Sequence, residues 1–74
     1  MPCVNSDGKP TETGKKVLRA LRDGGLSSAE KVSESTGVAL FRIRSGLRDM
    51  AEVGLVEPKG DKYSVTDKGI KLIG

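Results

Sequence analysis

The chain has no histidine, no tryptophan and a single cysteine, Cys3, and its only aromatic side chains are Phe41 and Tyr63. Each scarcity removes a class of function. A disulfide framework needs cysteines in pairs. The usual zinc sites need several Cys and His ligands. A Ser-His-Asp or Cys-His mechanism needs an imidazole base. No apolar run approaches the roughly 18 residues that span a bilayer, and Met1-Pro2-Cys3-Val4-Asn5 lacks the charged-then-apolar pattern of a secretion signal. In 74 residues the core is barely large enough to fold alone and leaves little room for a buried reaction pocket. These absences predict a small single domain in the cytoplasm: a binding protein rather than an enzyme, with no cofactor, no metal and no membrane partner.

What is present divides the chain. Residues 1–10 hold Pro2, Asn5, Ser6, Asp7, Gly8 and Pro10 with Val4 as the one sizeable apolar anchor, which predicts a flexible N-terminal tail with Cys3 incidental in it. The folded domain is expected over 11–74. Thr11 or Thr13 can cap a first helix whose apolar face is Val17, Leu18 and Leu21, with Gly24-Gly25 ending it. Ser27-Ser28-Ala29-Glu30 fits a capping box with Ser27 as the cap, and Leu26 before it is placed as a staple or a one-rung strand. Thr36-Gly37 stops that second helix. In the third, about 39–53, Leu40, Ile43, Leu47, Met50 and Ala51 recur at steps of three and four. Leu55-Val56 and Lys62-Tyr63-Ser64-Val65 read as two strands of a hairpin around a turn at 58–61. Thr66 caps a last short helix with Ile70 and Ile73 inward and Leu72 at its flank. The fold class that follows is mainly α with a small β-hairpin, an α+β arrangement.

Two helices joined by a short glycine-containing turn, Thr36-Gly37-Val38, have the outline of a helix-turn-helix. The side of the third helix away from its apolar stripe carries Phe41, Arg42, Arg44, Ser45 and Arg48, and between Val38 and Arg48 there are three arginines and no acid. In a helix-turn-helix that N-terminal half meets base edges in the major groove, where arginine donates two hydrogen bonds to guanine or pairs with phosphate. Lys59 and Lys62 flank the hairpin tip. Lys15, Lys16 and Arg19 on the first helix, and Ser28 at the start of the second, are weaker candidates for phosphate contacts. Gly46 inside the third helix costs about 1 kcal/mol relative to alanine and is read as a site of close approach by another element.

The stretch 26–73 resembles the winged helix-turn-helix domain of bacterial and archaeal transcription regulators, the MarR-like and related groups. Ser28-Ala29-Glu30-Lys31-Val32 with Thr36-Gly37-Val38 is similar to their second helix and turn. Leu47, Met50 and Gly54-Leu55-Val56 are similar to the exit from their recognition helix, and Tyr63-Ser64-Val65-Thr66-Asp67-Lys68-Gly69 to the junction after their wing. The resemblance implies a three-helix core with a wing at about 55–65, and recognition positions at Leu40, Phe41, Arg42, Arg44, Ser45 and Arg48. It also implies double-stranded DNA as partner and transcriptional regulation as the role. A second reading uses Leu40 and Phe41 differently, as the apolar contact of a winged helix that has lost DNA binding and docks a protein. Structured RNA is a third partner class, without an aromatic pair for base stacking. Ile70, Leu72 and Ile73 are the candidate surface for a homodimer.

Overall fold

The computed structural model describes residues 3–73. Four helices enclose a three-stranded antiparallel sheet, in the order α1 (Glu12–Gly24), β1 (Ser27–Ser28), α2 (Ala29–Thr36), α3 (Leu40–Glu52), β2 (Val56–Lys59), β3 (Lys62–Val65) and α4 (Asp67–Ile73). The α+β class is as expected. No helix among the described residues is long and apolar enough to cross a membrane.

The helices start and stop where local chemistry permits. The Thr11 hydroxyl accepts from the Gly14 amide and caps α1, and Gly25, at a φ of 72°, turns the chain out of it. Such a backbone is open to glycine at no steric cost. The cap of α2 corrects the sequence reading by one residue: Ser28, not Ser27, accepts from the Lys31 amide. Ser27 is instead buried in β1, its hydroxyl donating to the Gly25 carbonyl. Leu26 precedes β1 and is exposed, so the one-rung strand expected there lies at the serines that follow.

The sheet has the order β1-β3-β2. β3 pairs with β2 through Val56↔Val65 and Lys59↔Lys62, and with β1 through Ser27↔Tyr63 and Ser28↔Lys62. The expected two-strand hairpin thus gains a third strand from the α1–α2 connection. Only Gly60 and Asp61 form the turn. A positive φ at Gly60 and none at Asp61 match a type II′ turn, whose twist suits a two-residue hairpin. Pro58 falls in β2 at the sheet edge, where a missing N–H is tolerated.

Leu18, Leu21, Ile43, Leu47, Met50 and Leu55 fill the centre, each at most 1% exposed. Two expectations are corrected here. Residues 3–10 fold back on the core: Cys3 is 1% exposed, Pro10 is buried, Val4 bridges Pro10, and the Thr11 amide donates to the Cys3 carbonyl at 2.9 Å. Their turn residues build a tight loop, in which the Asn5 amide donates to the Lys9 carbonyl and the Gly8 amide to the Asn5 carbonyl. Cys3 fits because α3 presents Gly46 to its thiol and α1 presents Gly14 to its backbone carbonyl; a Cβ at Gly46 would collide with Sγ and one at Gly14 with the carbonyl oxygen. Gly46 is therefore the site of close approach that its cost in a helix suggested. Residues 1 and 2 of the expected tail lie outside the described residues. The second correction concerns α4. Ile73 is buried and Leu72 half-buried, but Ile70 is exposed, because the helix puts Gly69 against the core, where a Cβ would meet the Leu55 carbonyl and Val65.

Candidate nucleic-acid interface

The turn between α2 and α3 is fixed by side chains as well as by backbone. Gly37 is left-handed, at a φ of 74°, and its amide donates to the Ser33 carbonyl. The Ser33 hydroxyl donates to the Val38 carbonyl at 2.6 Å, and Thr36 Oγ1 donates to the Val32 carbonyl while accepting from the Val38 amide. Val38 packs partly against the core. These bonds hold the angle at which α3 leaves α2.

α3 starts at Ala39 with no side-chain cap and no acid in its first turn. Buried Ile43, Gly46, Leu47 and Met50 turn one side inward. Phe41, Arg42, Arg44, Ser45 and Arg48 are exposed. Phe41, Arg44, Ser45 and Arg48 stand at i, i+3, i+4 and i+7 and share one face, about 10 Å long at 1.5 Å per residue. Arg42 flanks it, its guanidinium over the Phe41 ring at 5.9 Å. Leu40 is half-buried against the core, so Leu40 and Phe41 are not a matched exposed pair.

Among the described residues the ion pairs join Lys15 to Glu12 and Arg22 to Asp23. No arginine of α3 and no lysine of the hairpin takes part in one. Lys59 and Lys62 are exposed and directly opposite one another across the hairpin. Like charges so placed destabilise a sheet, and Asp61 in the turn between them offsets part of their charge. A groove of about 300 Å³ runs between α3 and the hairpin, lined by Ala29, Glu30, Arg44, Arg48, Asp61 and Tyr63. Its walls therefore carry both donors and acceptors.

No family model, no curated protein and no solved structure matches the chain.

The structure brings Arg44 and Arg48 together with the hairpin and sets the weaker candidates elsewhere. Lys16 and Arg19 line a separate groove of about 560 Å³ with Ala20, Asp23 and Ser35, between α1 and α2. Lys15 is half-buried and lies 3.9 Å from Glu12, and the Ser28 hydroxyl is engaged as the α2 cap. The sequence reading missed Glu30, Asp61 and Tyr63 as groove residues. Their signal was the Ser28↔Lys62 pairing that folds the hairpin against the start of α2, a non-local contact. Among the described residues no three His, Cys, Asp or Glu side chains converge to hold a metal ion.

The hairpin itself is held behind α3. The Thr66 hydroxyl lies 2.7 Å from the Gly54 carbonyl and 3.0 Å from that of Leu55, to which it donates, and it accepts from the Gly69 amide. Lys68 Nζ donates to the Val53 carbonyl. These bonds tie the exit of α3 to the junction between β3 and α4.

Proposed function

We propose that the chain is a winged helix-turn-helix domain that binds double-stranded DNA and regulates transcription in the cytoplasm. α3 acts as the recognition helix and the β2–β3 hairpin as the wing. One observation carries the reading: the exposed face of α3 presents arginines that form no ion pair with a carboxylate of the described residues, on the second of two helices joined by a hydrogen-bonded turn. Unpaired guanidinium groups keep their hydrogen-bonding forks free for guanine or phosphate.

In this arrangement the N-terminal half of α3 lies in the major groove. Arg44 and Arg48 make base or phosphate contacts, and Ser45 and Arg42 reach the adjoining positions. Lys59 and Lys62 lie along the backbone and fix the angle of approach, which is what phosphate contacts do. The chain is a binding module and not an enzyme on this reading, since the groove holds no nucleophile paired with a base.

The test is a titration of random duplex DNA at low and moderate salt. Binding at low salt that weakens steeply with salt is expected, because phosphate contacts release counterions. Arg44→Ala/Arg48→Ala should weaken it at least tenfold; unchanged affinity in that variant, or no binding at low salt, contradicts the proposal.

A further inference from the structure

Among the described residues Phe41 is the most exposed large apolar side chain, at 72%, and it sits on the charged face of α3 rather than at its edge. An aromatic ring held in water on a helix that otherwise presents arginine and serine calls for a partner with an apolar surface inside a polar site. The ring does not stand alone. Arg42 lies over it at 5.9 Å, a distance at which the guanidinium is attracted to the ring face. The pair borders a groove of about 430 Å³ whose rim includes Val38 and Ala39. No acid occupies the first turn of α3, so the surroundings are apolar and positive together.

Duplex DNA offers one apolar group in the major groove, the C5-methyl of a pyrimidine. Beside it guanine presents two acceptors that match a guanidinium. We propose that Phe41 and Arg42 form a reader for a C5-methyl pyrimidine next to guanine, with the ring against the methyl and Arg42 on guanine O6 and N7. The inference rests on the DNA-binding reading above and adds to it a chemical preference. Thymine and 5-methylcytosine share the methyl group and are separated below. Phe41 makes the apolar contact, and stacking against it holds the Arg42 fork in place before DNA arrives.

The experiment uses the full chain and random-sequence duplex pools identical except in one base, titrated at low salt by fluorescence anisotropy. Replacing every thymine by uracil removes only methyl groups. The expected result is about fourfold weaker binding per methyl contacted, the cost of returning one methyl-sized surface to water. Replacing cytosine by 5-methylcytosine in the uracil pool should restore affinity if methyl chemistry at either base suffices; restoration by thymine alone narrows the reader to thymine and still supports it. Phe41→Ala should bind the thymine and uracil pools equally, and Phe41→Leu, which keeps an apolar contact, should retain part of the difference. Equal affinity of the unaltered protein for both pools overturns the inference while leaving DNA binding intact. A uracil penalty that survives undiminished in Phe41→Ala also overturns it. If Phe41→Ala matches the unaltered protein on every pool, the ring takes no part in DNA binding and the inference fails. Absence of binding to any pool overturns the DNA-binding reading and this inference with it.

Discussion

Cys3 is the residue whose position departs most from its neighbours in sequence. The residue is 1% exposed, with its thiol against Gly46 of α3 and its carbonyl against Gly14 of α1. Burial first, and the Asp49 carboxylate second, push the thiol above its ordinary pKa. In the unfolded chain a cysteine ionises near pH 8.5. With the folded value raised, its contribution to stability is complete below that pH and is lost as pH rises through the folded value. Urea midpoints measured at about pH 7.5 and about pH 10 should therefore fall more for the unaltered protein than for Cys3→Ala; parallel falls contradict the assignment. Alkylation tests the same burial directly: iodoacetamide should label Cys3 slowly in buffer and rapidly in denaturant. Gly69 is the other residue placed by close approach. A Cβ there meets the Leu55 carbonyl, backbone that cannot swing away, so Gly69→Ala should cost about 1–3 kcal/mol in chemical denaturation. Gly24→Ala, where the new Cβ makes only an ordinary 3.6 Å contact with Ser27, should instead stabilise by about 0.5–1 kcal/mol through helix propensity.

At the scale of elements, α3 was readable because its apolar residues repeat at helical spacing, which depends only on neighbours along the chain. The arginine face followed from the same periodicity. The start of α2 was read one residue early because two serines stand together, and either satisfies the local rule; pairing of Ser27 with Tyr63 decided between them. The pairing and exact place of β1, offered by the sequence only as a one-rung strand at Leu26, and the docking of residues 3–10 were not readable, since both depend on contacts between segments far apart in sequence. Gly46 showed that something approaches α3 but not that Cys3 is what approaches. Ile70 was assigned inward from spacing, yet a helix of two turns can rotate, and Gly69 against the core sets the rotation. The turn between α2 and α3 can be tested as a unit. Ser33→Ala removes the donor to the Val38 carbonyl and should lower stability by about 1 kcal/mol. On the proposed reading it should also weaken DNA binding by loosening the angle of α3, with no change in the salt slope, because no phosphate contact is lost.

The whole molecule measures 27 × 24 × 20 Å, shorter than one turn of B-DNA at about 34 Å, so on the proposed reading one copy would cover a single half-site. Its net charge of +3 is modest, and the proposed interface depends on where the cations stand rather than on their total. If four phosphates are contacted, affinity should fall by about 100-fold for a fourfold rise in salt. Reaching a paired site needs two copies. Of the apolar residues of α4 Ile70 is exposed and Leu72 half-buried, which makes that helix a narrow dimer surface. The most direct measurement of the central claim is the change in backbone amide shifts of the labelled protein as duplex DNA is added at low salt. Shifts concentrated at residues 39–48 and 59–62, with α1 and α4 little changed, are expected. Shifts spread over the surface, confined to the groove between α1 and α2, or absent would contradict it.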